Sequence, residues 1–415
     1  MDSQKDVVII GGGVIGVCSA YYLAQKGIGV TLLEKGEIAS GCSYGNGGLI
    51  VPSHAVPLAS PGALGNGLRW LFDSESPFYI KPRLDLDLIN WLVRFAFASR
   101  HNQMLQAVPV MRDLLFASRA LYEELAKTAG FDFGFEGTGS LLVYLSKEKL
   151  QHEMEEAHLL ERFNIPIEAM DQTQVQEREP ALLPDVIGGI YYPRDGHINP
   201  HRFVTGLAEK AQRLGAQICV QTEVLGFESS QGKIKRIKTT DGMIAPKQVV
   251  LATGSWSPDV ARDLKLRIPI QAAKGYSITL ENPQVSPKIP LSFGEARVVV
   301  NPLGDSLRLA GTLEMAGMDS SINSRRIDTM RKASNGYLRG LEYAKVIETW
   351  RGLRPCTPDG LPIISRSQRF ENLIVAAGHA MLGMSLGPVT GKMVSQLIHE
   401  EKTDVDIFPF RMERF

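Results

Sequence analysis

The segment Val7–Gly36, VVIIGGGVIGVCSAYYLAQKGIGVTLLEKG, constrains the fold more than any other part of the chain. Val7 to Ile10 is a short apolar run of the kind that forms a buried parallel strand. Gly11, Gly13 and Gly16 then satisfy G-x-G-x-x-G. Val14 to Lys26 predicts a helix with Ala20, Leu23 and Ala24 on its apolar face, and Gly27 stops it. Val30 to Leu33 reads as a second buried strand, ended by Glu34. In such a turn the first glycine permits the tight bend, the second admits backbone close to a pyrophosphate, and the third lets helix pack on strand. The helix N-terminus offers free N–H groups and the positive end of its dipole to phosphate. Glu34 follows Gly16 by eighteen residues, where a carboxylate accepts from ribose hydroxyls and disfavours a 2′-phosphate. The segment therefore predicts a site for an ADP moiety, and leaves open whether it belongs to NAD or FAD.

The chain has 415 residues and equal numbers of acidic and basic side chains, 45 each. That length supports two or three domains' worth of core. The charge balance and the lack of an aromatic–basic stripe argue against nucleic acid as a partner. The first strand begins almost at once, which leaves no room for a cleaved leader, and no apolar run reaches about 18 residues. Cys18, Cys42, Cys219 and Cys356 have no C-x-x-C spacing and read as reduced thiols of a cytoplasmic protein. No His/Cys cluster has metal-ligand spacing. Leu84–Arg100, LDLDLINWLVRFAFASR, carries two readings. One is a helix packed on a sheet; the other is an amphipathic contact with the inner face of a membrane.

The stretch from Ile38, IASGCSYGNGGLIVPSHAVPLASPG, is rich in Gly, Ser and Pro and predicts a long extended loop, of the kind that is usually functional. Its glycines suit backbone lying close to a large flat ligand. Residues 84 to 160 look helical, with a strand-like interruption at GSLLVYLS. HINPHRFVTGLAEKAQRLGAQICVQTEV predicts a helix from near Pro200, a stop at Gly215 and a strand over Ala216–Val220. GKIKRIKTTDGMIAPKQVVLATGSW predicts a β meander ending in a buried strand. YSITL, RVVV and LRLAGTL are strand-like, and Ile327–Gly340 is helical. The tail NLIVAAGHAMLGMSLGPVTGKM reads strand, glycine loop, helix. Dinucleotide-type pieces thus stand at the beginning, middle and end. They imply one discontinuous Rossmann-like α/β domain, with an α+β, antiparallel-sheet domain inserted in two pieces.

GGGVIGVCSAYYLAQKG, ASGCSYGNGGLI, GHINPHRF, VVLATGSWS, WRGLRPCTPDGLPII and NLIVAAGHAMLGMSLGPVTGKM resemble the D-amino-acid oxidase superfamily of FAD-dependent amine oxidoreductases, end to end. GNGGLIVPSHAVPLASPG, KGYSIT, GHAMLGM and the closing FPFRMERF are most similar to its D-amino-acid dehydrogenase group. The resemblance implies FAD, an FAD-binding domain of residues 1–85, 197–262 and 346–415, and a substrate domain of residues 86–196 and 263–345. It implies that Gly11, Gly13 and Gly16 face the pyrophosphate and Glu34 the adenosine ribose, with Val14, Ile15 and Lys35 also among the cofactor-binding residues. Ser40, Gly41, Asn46, Gly47, Gly48 and Leu49 line phosphates and flavin, and Val224 pairs its backbone with adenine. Gly254 and Trp256 lie beside the nucleotide. Gly378, Gly383, Met384 and Ser385 meet the pyrimidine edge of the flavin. Independently, a helix opening over Gly387–Lys392 would favour negative charge at the flavin N1–C2 edge.

The reaction so implied passes the Cα hydrogen of an amino acid as hydride to flavin N5. The imine is hydrolysed to a 2-oxo acid and ammonia, as in amino-acid catabolism. The substrate expected is a D-amino acid; the alternatives are a cyclic imino acid such as D-hydroxyproline or proline, a peroxide-forming oxidase, or a flavin subunit without chemistry of its own. Arg354, in GLRP, stands where relatives place a substrate-binding arginine, and a guanidinium grips a carboxylate with two N–H groups. Tyr276, in KGYS, is a second donor to that carboxylate. His54 and His379 are candidates for the flavin face, since neutral imidazole suits an amine substrate. Lys274 and Arg308 carry two readings, charge near N5 or a solvated sheet edge. Apolar Ala380, Met381 and Leu382 favour a hydrophobic substrate side chain. Gly352 occupies the position at which sarcosine oxidases attach FAD through cysteine, so the flavin is expected to be noncovalent. Those oxidases also carry a lysine where Arg308 stands, which leans the expectation toward a quinone or another electron acceptor in place of oxygen.

Overall fold

The computed structural model describes residues 5–61, 78–281 and 286–415; the end of the glycine-rich loop, from Gly62, lies outside them. The predicted nucleotide unit forms as written: β1 (Lys5–Ile10), α1 (Val14–Gln25) and β2 (Val30–Leu33), with Gly27 at φ +77° behind the helix. The loop that follows holds one short strand, β3 (Leu49–Ile50). Next come β4 (Phe78–Ile80), α2 (Leu86–Ala98), capped by Asp85 through the Asp87 and Leu88 N–H groups, and α3 (His101–Ala126). The predicted interruption is β5 (Ser140–Tyr144), followed by α4 (Lys147–Glu161), β6 (Glu168–Asp171), α5 (Gln172–Arg178), β7 (Gly188–Tyr192) and β8 (Gly196–His197).

Pro200 starts α6 (Pro200–Arg213), with Asn199 as its cap; proline suits that position because the N–H it lacks has no partner there. β9 (Gln217–Cys219), β10 (Val224–Ser230), β11 (Lys233–Thr239), β12 (Gly242–Ile244) and β13 (Pro246–Leu251) follow, then a short α7 (Ser257–Val260). The long strands β14 (Gln271–Glu281), β15 (Leu291–Phe293), β16 (Val298–Leu303) and β17 (Ser306–Met315) lead to α8 (Ser324–Ser334), β18 (Lys345–Cys356), β19 (Ile363–Arg366), β20 (Leu373–Ala377) and α9 (Gly383–Ile398).

Two large sheets result. The first has the order β19-β20-β13-β1-β2-β9, with β1 parallel to both β13 and β2. Its central strands are buried on both faces, as a sheet sandwiched between layers requires. Helices α1, α6 and α9 share the core cluster that includes Val7, Leu23, Phe203 and Val394. The second sheet is nine-stranded and mostly antiparallel, in the order β18-β14-β17-β16-β15-β5-β7-β6, with β4 beside β17. Residues 346–356, which the resemblance puts with the FAD-binding domain, belong to β18, and β18 hydrogen-bonds along β14 in the second sheet. Periodicity assigns a strand but not its sheet. Helix α9 also begins a turn earlier than expected, at Gly383.

Candidate active site

A cavity of about 720 Å³ runs from the β1–α1 turn to β14 and β18. Gly11, at φ +110°, bends the chain into it, and a Cβ there would lie 2.5 Å from the Ala252 carbonyl oxygen. Gly13, Val14 and Ile15 line it, so the N-terminus of α1 opens on the cavity. Gly16 does not line it. A Cβ on Gly16 would lie 1.8 Å from the Gly11 carbonyl oxygen, so its work is helix–strand packing alone.

Glu34 ends β2 with its carboxylate fastened from two sides. Oε2 accepts the Gly12 N–H at 2.7 Å and Oε1 accepts the Gly36 N–H at 2.9 Å. Each oxygen keeps further acceptor capacity for hydroxyl groups. Beside it, Lys35 Nζ stands 4.3 Å from the Trp256 ring centroid, and Val224 and Gly254 complete this end of the lining.

Ser40, Gly41, Asn46 and Gly47 line the middle of the cavity. The loop is held from the second sheet. Arg308 Nη1 donates to the Tyr44 and Asn46 carbonyls at 2.9 and 3.3 Å, and Asn301 Nδ2 to that of Gly47 at 2.8 Å. Gly48 and Leu49 stand behind the lining, Gly48 packed on the Ile198 carbonyl and Leu49 paired with His197. The Trp350 indole covers Gly45 and Gly352: a Cβ on either would fall about 2 Å from its ring. Sequence reasoning missed this tryptophan, and also Ser43, whose Oγ accepts the Val14 N–H at 3.0 Å.

At the far end stand Arg354, Tyr276, His379, Gly383 and Met384. Arg354 Nη1 donates to the Thr312 carbonyl at 2.6 Å, and no carboxylate pairs with it among the described residues. Arg354 is half-buried in the cavity wall, and this burial pulls its pKa below the usual guanidinium range. A cation so placed favours an anionic ligand. His379 is buried, with Nε2 3.0 Å from Thr390 Oγ1; burial lowers its pKa to about 3, so the ring is neutral. Burial likewise pushes the Cys42 thiol, beside Arg354, up to about 11.

Three expectations change. Tyr276 reaches the cavity, but its hydroxyl donates to Glu314 Oε2 at 2.9 Å and is not available to a ligand carboxylate in this arrangement. Lys274 and Arg308 are neither solvated nor at an edge. Lys274 Nζ is buried 2.8 Å from Asp319, and Arg308 Nη2 lies 3.2 Å from Glu348. His54 is exposed and outside the lining, its Nδ1 3.0 Å from Ser53 Oγ, which donates to buried Asp195. Gly378, at φ +82°, forms the turn after β20 against Thr357. Ser385 Oγ donates to the Leu49 carbonyl at 2.9 Å. Both lie just behind the lining.

The group these features fit is a dinucleotide with a large flat head. A carboxylate held for ribose, a helix end for phosphate and glycine-cleared walls in the middle follow one another along the cavity. Among the described residues no His, Cys, Asp and Glu cluster suits a metal ion.

Known proteins agree. The chain is 33% identical to a D-amino acid dehydrogenase of Paramagnetospirillum magneticum, covering 99% of this chain and 98% of that one. The structure superposes on glycine oxidase from Geobacillus kaustophilus with a TM-score of 0.80 and 24% identity, covering 99% of both chains. It superposes on L-proline dehydrogenase from P. horikoshii with a TM-score of 0.79 and 22% identity, covering 100% of this chain and 98% of that one; both likenesses concern the fold. Residues 6–397 match the family model DAO, FAD dependent oxidoreductase, and with Glu34, the α1 N-terminus and Arg354 along one cavity, the chain belongs to this family of FAD-dependent oxidoreductases.

Proposed function

We propose that the protein is an amino-acid dehydrogenase that oxidises D-amino acids to 2-oxo acids and ammonia. The observation that carries this reading is Arg354: a half-buried guanidinium in the cavity wall, hooked at one nitrogen by a backbone carbonyl and lacking an acidic partner among the described residues. An α-carboxylate supplies the missing charge, and a bidentate pair fixes the orientation of Cα. When bound, FAD supplies the two-electron acceptor of the reaction. The protein's part is to hold the substrate, and the neutral His379 ring adds no positive charge to repel the substrate amine. The names of the relatives support D-amino acids as the substrate class.

Gly11, Gly13, Val14, Ile15 and Glu34 would hold the ADP half of FAD. Gly16 supports the turn from behind. Ser40, Gly41, Asn46, Gly47, Gly383 and Met384 would meet the flavin half. We place the FAD-binding part in residues 1–85, 197–262 and 357–415, the last beginning after β18, and the substrate part in the remainder. Binding is noncovalent in this reading, since Gly352, beneath Trp350, stands where a cysteine would be needed.

We further propose a quinone-like acceptor, reached at a membrane surface through α2. Leu88, Trp91 and Phe95 of this helix are buried, while Leu86, Ile89, Val93 and Phe97 are exposed. Trp91 Nε1 donates to the Cys356 carbonyl, two residues from Arg354. No described helix is long and apolar enough to cross a membrane; the contact we propose is peripheral, on the cytoplasmic face. The four cysteines are free thiols, in keeping with a reducing compartment.

The test is anaerobic reduction. Purified yellow protein is mixed with a panel of D-, L- and N-substituted amino acids while the flavin absorbance is followed. Bleaching by D-amino acids is expected, with faster turnover on an artificial quinone than on oxygen. A flavin left oxidised by the whole panel sinks the reading.

A further inference from the structure

The backbone beneath Arg354 is irregular in a way that the sheet alone does not require. Across β14 and β17, Lys274 faces Glu314 but Tyr276 faces Gly311. Strand β17 therefore carries one residue more than β14 over this step, which is a β-bulge. Within it, Thr312 has φ +62°, a conformation strained for a β-branched side chain. The carbonyl of this residue receives the Arg354 Nη1–H at 2.6 Å. On β14, Gly275 lies directly against the guanidinium. A Cβ built there would stand 1.9 Å from Nη1, 2.2 Å from Cζ and 2.3 Å from Nη2, and these Arg354 atoms are its three nearest neighbours.

We propose that Gly275 and the Thr312 bulge form a cradle that fixes the plane of the Arg354 guanidinium, making both of them positioning residues for carboxylate recognition. The proposal rests on the reading of Arg354 as the carboxylate anchor. A guanidinium carries five N–H donors in a rigid fork. Thr312 engages Nη1, the flat backbone at Gly275 blocks rotation out of the plane, and the remaining donors are left for the ligand. A side chain at 275 would occupy the volume of the guanidinium and push it out of this position.

The test uses the FAD-loaded full chain with D-alanine and with D-alaninamide, which lacks the carboxylate. Gly275→Ala should raise KM for D-alanine at least tenfold, while KM for the amide moves less than twofold and the flavin spectrum is unchanged. Thr312→Pro, whose fixed negative φ removes the bulge, should act in the same direction. In an Arg354→Met background, Gly275→Ala should add less than twofold. If Gly275→Ala alone does not fold but the double variant does and binds FAD, the clash lies with the guanidinium and the cradle stands. Equal changes for acid and amide, effects that multiply in the double variant, or loss of folding in both variants overturn it. A KM raised by Arg354→Met but unmoved by Gly275→Ala overturns the cradle alone. A KM unmoved by Arg354→Met overturns the anchor and the cradle together.

Discussion

Glu34 reaches back to the glycine turn and accepts the Gly12 N–H at 2.7 Å. The bond ties the end of β2 to the start of α1, so one carboxylate shapes the turn and presents itself to a ribose. Glu34→Gln puts an amide donor against one of two backbone N–H groups. The lost charge-assisted bond from a ribose hydroxyl costs about 1.5–3 kcal/mol, which is roughly a tenfold to 150-fold weaker hold on FAD. Titration of apoprotein with FAD, followed by fluorescence quenching, reads this directly; an unchanged affinity removes Glu34 from the site.

Arg354→Met should raise KM for the amino acid by the equivalent of about 2–5 kcal/mol while FAD stays bound. Arg354→Lys should recover only part of the loss, because an ammonium is a point charge without the planar fork. Steady-state kinetics with a soluble acceptor separate the two variants.

His379 makes stability fall in acid. In the folded protein it stays neutral down to about pH 3, whereas in the unfolded chain it takes up a proton near pH 6.5. The unfolded state therefore binds more protons as pH drops from about 6.5 toward 3. The penalty grows by up to about 1.4 kcal/mol per pH unit in that window and is absent above it. His379→Gln should flatten this part of the denaturation profile, measured by urea melts at stepped pH. An equal slope in both proteins rules the histidine out as its source.

Gly391 of α9 lies against α1: a Cβ there would fall 2.5 Å from the Cys18 carbonyl carbon. Gly391→Ala forces two close-packed helices apart and should cost about 1–3 kcal/mol, seen as a lower melting temperature of the FAD-loaded protein. Gly27→Ala is a contrast, since nothing crowds Gly27 and only its positive φ resists the change.

Val93→Glu with Phe97→Glu changes the exposed side of α2 without touching Leu88, Trp91 or Phe95. Co-sedimentation with lipid vesicles should be lost, and activity with a soluble dye should persist. Vesicle binding equal to that of the parent protein dismisses α2 as the membrane contact.

The nucleotide half was legible because its signals are local. Gly11, Gly13, Gly16, the strand Val30–Leu33 and Glu34 lie within one short run, and each is required by its own backbone neighbours. The substrate end was legible only through resemblance, since Arg354 is one arginine among many until β14 and β18 are laid side by side. Tyr276 shows the limit well. Its place beside the cavity was foreseen, but its hydroxyl partner Glu314 lies on another strand, at a bulge no period-2 pattern reveals. Lys274 and Arg308 are polar in sequence and buried in fact, because Asp319 and Glu348 come to them from elsewhere in the chain. His54 is a candidate by its imidazole alone, with no local signal for its place; Ser53 and Asp195 hold its turn outside the cavity lining.

Strand β1 sits in the interior of the first sheet, with Val8 beside Thr31 on one flank and Val249 on the other, and β20 one strand further out. On the ribosome, the amino-terminal hairpin of strand and helix emerges early with one sheet edge bare. It must wait until β13, more than 200 residues further along the chain than β2, arrives to cover it. Distant pairings of this kind slow folding and leave sticky edges exposed in the interval. Nascent chains of this protein should therefore lean on chaperones until α9 has emerged and closes over α1.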